Sequence, residues 1–225
     1  MPETTEDTVV EVASKFITRS CGGFPRSFRF VVLLNTLGVF IMDCIEINNK
    51  KLYYQGNIDA LDYDSIAVVG TRKPSSESVE FTYNAVNELC KEKVIVSGLA
   101  LGIDKVAHQS CIENDGITIA VLPSGLNKVY PLLHKPLVKD ILANDGLVIT
   151  EYEPDKKANR RRFIERDKLI AELSDELLVP QCKIKSGTMH TVNFAKELEK
   201  RITVQNTDYD GNKFILNTYK NSTTF

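Results

Sequence analysis

Val94-Ile-Val-Ser-Gly-Leu-Ala-Leu-Gly-Ile-Asp104 is the stretch that decides the fold. Its first three residues are all apolar, too few for a helix, and end in Ser97-Gly98. A strand buried on both faces reads this way. Beyond Gly102 the period changes. Ile103, Val106, Ala107, Ser110 and Cys111 step by 3, 1, 3 and 1, the stripe of an amphipathic helix. A buried strand running through a small-residue turn into a helix is half of a βαβ unit.

The same phrase recurs in both directions along the chain. Ile66-Ala-Val-Val69, Thr118-Ile-Ala-Val-Leu122, Leu147-Val-Ile149, Leu177-Leu-Val179 and Ile202-Thr-Val204 are further short apolar runs. Val79, Tyr83, Val86, Leu89 and Cys90 stripe a second helix; Met189, Val192, Ala195 and Leu198 stripe a third. The alternation predicts a doubly wound α/β fold, a mostly parallel sheet covered on both faces. Residues 1–60 lack this rhythm and read as a small N-terminal, β-containing extension to a Rossmann-like core over 61–225. In the extension a short helix is expected over 9–16 and strands over Phe28–Leu34 and Val39–Ile47. Asn48-Asn49 then turns the chain into Lys51-Leu-Tyr-Tyr54. Near the other end Asp210-Gly211 is a hairpin signal that would fold Phe214-Ile-Leu216 back beside the last strand.

Composition bounds the function. The 225 residues carry 28 Lys plus Arg against 30 Asp plus Glu, a net charge of −2, with 43% apolar and 26% charged residues. That balance excludes a wholly disordered chain and a protein that coats nucleic acid with its entire surface. No apolar run approaches the ~20 residues of a membrane span. Met1-Pro-Glu-Thr-Thr-Glu-Asp7 is acidic and lacks a secretory pattern, so a cytoplasmic protein away from membranes is expected. Five scattered cysteines without a CxxC predict small core side chains rather than disulfides or a metal site. No cofactor is expected.

The chemistry lies in the turns at the strand ends. Gly70-Thr71-Arg72 succeeds Val69, Ser97-Gly98 succeeds Val96, and Pro123-Ser124-Gly125 succeeds Leu122. Ser186-Gly187-Thr188 comes after Val179 and a short polar stretch. In a parallel sheet these turns share the carboxyl edge. Small residues there let a ligand approach the backbone, and the helix N-termini offer N–H groups and a positive dipole end. Converging turns of this kind suit phosphate. No GxxxxGK[ST] or GxGxxG occurs, so Walker-type hydrolysis and ordinary dinucleotide binding are unsupported. Residues 156–168 add a basic run with a local charge of +5, including Lys157, Arg160, Arg166 and Lys168 around Phe163. An aromatic ring among cations can stack a base while its neighbours hold phosphates.

Together the motifs resemble the DprA/Smf (DNA processing protein A) family. The matching strings are Lys51-Leu-Tyr-Tyr-Gln-Gly-Asn57, Ala67-Val-Val-Gly-Thr-Arg-Lys-Pro-Ser75, Val96–Asp104 with Ala107-His108, and Ile119–Leu126 with Tyr130-Pro131. Glu151-Tyr-Glu-Pro154, Phe163 with Arg166, Ile170-Ala171, Leu173-Ser174 and Lys185-Ser-Gly-Thr188 come next, in family order. The resemblance implies an extended Rossmann-like core that binds single-stranded DNA in a basic pocket. It also implies a homodimer that helps load the RecA recombinase during natural transformation. Carried over by motif, the pocket uses Gly70, Arg72, Ser97, Gly98, Ser124, Gly125, Phe163, Arg166, Ser186, Gly187 and Thr188. Asp104 would cap its helix, and Arg166 would open the helix after the basic run. The family's Arg-Asn-Arg is here Arg166-Asp167-Lys168, and its Gly-Leu-Ser is Glu172-Leu173-Ser174. The chain has no room for the family's usual preceding helical domain or following winged helix, so the core alone is expected.

Two other functions use the same turns. One is a sensor of a small nucleotide. The other is a phosphoribohydrolase resembling the lysine-decarboxylase-like family, but Ser186-Gly-Thr-Met-His-Thr191 places Thr191 where that family's catalytic Glu would fall. His108, a lone histidine one turn into a helix, reads as structural. No catalytic constellation is expected.

Overall fold

Each apolar run from Ile66 onward is a strand of one nine-stranded sheet in a computed structural model, which describes residues 43–47 and 49–225. The strands are β1 (Asp43–Ile47), β2 (Lys50–Gly56), β3 (Ser65–Val68), β4 (Val94–Ser97), β5 (Thr118–Val121), β6 (Leu147–Thr150), β7 (Glu176–Val179), β8 (Arg201–Val204) and β9 (Ser222–Thr224). The α-helices among the described residues are α1 (Ser76–Leu89), α2 (Ile103–Glu113), α3 (Lys135–Ala143), α4 (Arg160–Glu172), α5 (Thr188–Glu197) and α6 (Asp210–Thr218). The readings over 9–16, 28–34 and 39–42, and those of Asn48 and Cys21, lie outside the described residues.

The strand order is β1-β2-β6-β5-β4-β3-β7-β8-β9. From β6 to β9 all neighbours are parallel, while the β1–β2 hairpin extends the β6 edge in antiparallel pairing, Tyr53 opposite Thr150 and Gly56 opposite Leu147. The chain therefore steps outward from β3 through β4, β5 and β6, then returns to lay β7 on the other side of β3. That reversal is the topological switch point of a doubly wound sheet, where neighbouring loops diverge and leave a crevice.

Alternate strand residues face opposite layers. Ala67, Val96, Val121 and Val179 pack with Leu169, Ile170, Val192 and Ile215, so α4, α5 and α6 cover one face. Ile66, Val68, Ile95 and Leu178 pack with Val86, Ile103 and Ala107. Ala120 and Val148 pack with Val138 and Ile141, which places α1, α2 and α3 on the other face. The apolar stripes thus do what their spacing implies, except that Tyr83 and Leu198 lie at the exposed margins of α1 and α5. Among the cysteines, Cys90, Cys111 and Cys182 are core side chains as expected, but Cys44 is exposed. No helix among the described residues is long and apolar enough to cross a membrane.

The expected C-terminal hairpin is not formed. Asp210-Gly211 begins α6, and β9 pairs with β8 in parallel, not antiparallel. Two contacts override the turn signal. A Cβ on Gly211 would lie 2.6 Å from Cys182 Sγ, so glycine here serves close packing. The next residue, Asn212, is fully buried; its amide donates to the carbonyls of Pro180 and Gln205 and its oxygen accepts from the Cys182 N–H. A parallel partner needs a crossover, and α6 supplies it.

Candidate functional site

A cleft of about 1090 Å³ opens at the carboxyl edge of the sheet, over the switch point between β3 and β7. The turn after β3 contributes Gly70, Thr71 and Arg72, and the turn after β7 contributes Ile184, Lys185, Ser186, Gly187 and Thr188. The first turns of α4 bring Asn159, Arg160, Phe163 and Ile164. Tyr130, from the segment after β5, closes one side. Backbone bonds set the first turn between its neighbours: the Thr71 N–H donates to Gln181 O at 2.8 Å, and its carbonyl accepts from Ile103 N–H at 3.2 Å.

Of the residues expected from sequence, Gly70, Arg72, Arg160, Phe163, Arg166, Ser186, Gly187 and Thr188 meet in this cleft. The remainder lie elsewhere. Ser97 is fully buried, its hydroxyl donating to Val68 O at 2.7 Å, so it ties β4 to β3. Gly98 acts from behind: a Cβ there would fall 1.3 Å from Arg166 Nη1, so its bare backbone makes room for that guanidinium. Ser124 is buried, and Gly125 packs against the carbonyls of Glu153 and Pro154. Lys157 is exposed, its carbonyl accepting from Arg162, and Lys168 turns away toward Glu172 at 3.8 Å. His108 is fully buried, bonded to Thr118 Oγ1 at 2.8 Å, with burial holding its imidazole far below the usual range, at about 3.

Helix α4 starts earlier than the motif implied. Asn159 is its N-cap, accepting from the Arg162 N–H at 3.0 Å, and the first turn holds Arg160, Arg161 and Arg162 with no acidic residue. Three cations at the positive end of a helix dipole repel it, an arrangement an anion relieves. Arg166 therefore sits in mid-helix rather than opening it, and is only 5% exposed. Its guanidinium lies 3.2 Å from Asp167 and 3.7 Å from Asp104.

Asp104 also departs from expectation. The α2 N-cap is Gly102, at φ 79°, and Asp104 lies inside the first turn. Its carboxylate turns back to accept the Ala100 N–H at 3.3 Å and faces Arg166, so it fastens the turn after β4 to α4. Burial pushes its carboxyl above the usual range, against the pull of Arg166 and backbone N–H groups. Asp167 is pushed up to about 6, chiefly by burial and then by Asp104, opposed by Arg166 and Arg72. The Asp104–Arg166–Asp167 cluster was not legible in the motifs, because it joins residues far apart in the chain. Tyr130 and Lys185 did stand in the family-like strings, and Asn159 carried the signal of a capping residue before a cationic first turn.

Phe163 is the hub of the cleft. Arg72 Cζ lies 5.3 Å and Arg166 Cζ 5.8 Å from its ring centre, and the Tyr130 ring meets it at 5.5 Å and 77°. A cationic, aromatic crevice at the switch point of a doubly wound sheet is the class of site defined here. Comparison with known proteins then places the molecule: the chain belongs to the DNA recombination-mediator protein A family, whose model matches residues 40–217. The DNA processing protein DprA of Streptococcus pneumoniae is 40% identical over 146 residues, covering 65% of this chain and 51% of that protein. This chain thus spans about half the length of that relative. DNA processing protein A from Helicobacter pylori, solved for its unique single-stranded DNA binding mode, aligns with a TM-score of 0.75 and 30% identity. The alignment covers 82% of this chain and 91% of that one. The X-ray structure of the Streptococcus pneumoniae protein aligns with a TM-score of 0.70 and 34% identity, over 77% of this chain and 62% of that one.

Proposed function

We propose that the cleft binds single-stranded DNA, with phosphates on its cations and bases against its apolar lining. One observation carries the reading: the cleft pairs Arg72, Arg160, Lys185 and the N-terminus of α5 with exposed apolar side chains. Tyr130 is 48%, Ile184 42% and Ile164 36% exposed, all within the same lining. A free phosphate needs no such lining, and a duplex keeps its base faces stacked. A single strand supplies both chemistries. The relative from Helicobacter pylori supports the same ligand.

The role is binding rather than catalysis. On the family pattern, a cytoplasmic homodimer of this chain holds the strand and passes it to RecA in recombination and DNA uptake. Family membership supports that reading, and co-sedimentation with RecA tests it.

Anisotropy titrations of labelled oligo-dT, a duplex and mononucleotides test the ligand. Oligo-dT is expected to bind best, with a log–log salt slope of about −2 to −4, for roughly three to six phosphates neutralised at about −0.7 each. Arg72 is exposed and fixed by the turn after β3. Arg72→Ala is expected to cost about 1.5–3 kcal/mol of binding, the range for charged hydrogen bonds, with an unchanged melting temperature. Tight mononucleotide binding with a flat salt response would replace this reading with a small-nucleotide sensor.

A further inference from the structure

We infer that His108 and His134 are the acceptors of an internal hydration site, holding ordered water one layer beneath the cleft. The site does not depend on what the cleft binds.

Both rings are sealed from solvent, His108 at 0% and His134 at 1% exposed. Each has one nitrogen committed, and the partner fixes the proton. His134 Nδ1 lies 2.8 Å from Leu99 O, and a carbonyl only accepts, so Nδ1 carries the hydrogen. His108 Nδ1 lies 2.8 Å from Thr118 Oγ1. That hydroxyl directs its own hydrogen to Ile95 O at 2.7 Å, so His108 Nδ1 donates as well. In the neutral form both Nε2 atoms are therefore lone-pair acceptors. Neither meets a hydrogen-bond partner among the described residues. A buried acceptor without a donor is costly, and protein interiors satisfy such groups with ordered water.

The neighbours select water over other ligands. Burial holds the His108 imidazole far below its ordinary range, at about 3, and His134 and Arg166 lie close enough to lower it further. The same guanidinium repels a metal cation, and no cluster of three or more His, Cys, Asp or Glu suited to a metal occurs among the described residues. An anion would meet two lone pairs. Water donates to the rings and accepts in return. Two buried donors are available at the same edge of the sheet. Arg166 Nε and Nη1 face Asp167 and Asp104 without a directed hydrogen bond, and the Ser124 hydroxyl has no partner among the described residues.

His134 and Arg166 flank the turn after β4. Leu99 there is fully buried at φ 57°, a left-handed backbone that a bulky side chain rarely adopts. His134 fixes its carbonyl, and Asp104 holds the N–H of Ala100. A Cβ on Gly102, at the end of this turn, would lie 2.3 Å from Thr71 O and 2.7 Å from the Arg72 carbonyl carbon, so the turn after β3 rests directly on it. Water bonded to His134 thus braces the layer that carries Arg72.

The chain has three histidines, and the third, His190, is exposed and serves as the reference. Long-range nitrogen–proton NMR of the parent, at about pH 8 and so above the ordinary histidine range, is expected to show His108 and His134 protonated on Nδ1. Both Nε2 signals should carry the shift of a hydrogen-bonded acceptor. A crystal structure that resolves ordered solvent is expected to place water about 2.7–3.2 Å from each Nε2. Oxygen-17 relaxation dispersion counts waters held longer than the protein tumbles. His134→Phe keeps a ring but no lone pair, and is expected to lose at least one such water. An Nε2–H tautomer on either ring, a metal ion at Nε2, or bare Nε2 atoms in well-ordered density overturns the inference. So does a folded His134→Phe variant with the parent's count of held waters. Should that variant not fold, the spectra and solvent density of the parent decide alone.

Discussion

Gly70-Thr71-Arg72 after β3 and Pro123-Ser124-Gly125 after β5 leave the same edge of the same sheet, but only the first borders the cleft. Their chemistry is alike; their neighbours are not. β3 lies between β4 and β7, where the chain reverses, so the loops beside it part. β5 lies between β4 and β6, and the segment after β6 closes over it. There the Gly125 N–H donates to Lys156 O at 2.8 Å and the Asn127 N–H to Pro154 O at 2.9 Å. Glycine admits a close approach of the protein itself in both turns, of Ile103 and the Gln181 carbonyl at Gly70 and of the Glu153 and Pro154 carbonyls at Gly125, so it is Thr71 and Arg72 beyond Gly70 that bring the first turn to the cleft. A small-residue turn marks where something comes near the chain, and strand order decides what.

The largest effect is expected at Arg166, which borders the cleft and packs behind it against Gly98 and Asp104. Arg166→Leu removes the counter-charge of two buried carboxylates. Breaking a buried pair in this way costs about 3–5 kcal/mol. Urea denaturation is therefore expected to show a large loss of stability, and binding measured on the surviving folded protein to change less than for Arg72→Ala. A variant as stable as the parent would mean that the cluster is not what ties α4 to the turn after β4.

A smaller effect separates the closed turn after β5 from the segment after β7, which also borders the cleft. A Cβ on Gly125 would meet Glu153 O at 2.0 Å and Pro154 O at 2.3 Å, whereas one on Gly187 meets nothing within 4 Å. Gly125→Ala is expected to destabilise by about 1–3 kcal/mol through overpacking. Gly187 already has helical φ and ψ of −60° and −33°, so Gly187→Ala is expected to stay within ~0.5 kcal/mol of the parent. Its added methyl group enters the cleft, so oligo-dT affinity is where that variant should show a change. The reverse pattern, a tolerated Gly125→Ala and a destabilising Gly187→Ala, would contradict the division into a closed and an open turn.

The smallest effect is in pH. Asp167 is an ordinary 3.8 when unfolded and about 6 in the fold, so the folded state holds the extra proton between those values. This group therefore adds stability as pH falls through 6 and withdraws it as pH rises again. Protonation also removes a negative charge beside Arg166 and Arg72. Oligo-dT affinity is expected to rise by on the order of two- to fivefold from pH 7 to pH 5.5, and Asp167→Asn to flatten that rise. A parent profile as flat as that of Asp167→Asn would show that the carboxyl does not act on the ligand.

The same division separates the features legible in the sequence from those that were not. Strand and helix periods are local, so Val94–Val96 and the stripe from Ile103 to Cys111 are legible residue by residue, and with them the doubly wound class and the family. The basic run and the Gly70–Arg72 turn are equally local, and the cleft contains parts of both. The C-terminal hairpin misled because Asp210-Gly211 has the same local chemistry in a hairpin as at a helix start. The choice was made by Asn212, whose partners Pro180, Cys182 and Gln205 are adjacent only in space. Ser97, Ser124 and Gly125 misled in the same way, being small residues whose close neighbour is the protein itself.

The sequence by itself determined the strands from Ile66 to Val204, the helical stripes between them and the small and basic turns that follow them, because each depends on contacts within a few residues. Only the tertiary structure decided which turns stay open, that Arg166 lies buried between Asp104 and Asp167, and that Tyr130 rather than Phe163 keeps an open face. Those outcomes depend on strand order and on which side chains reach a given space first, and pairings across many positions, 62 between Asp104 and Arg166, leave no periodic trace in a sequence.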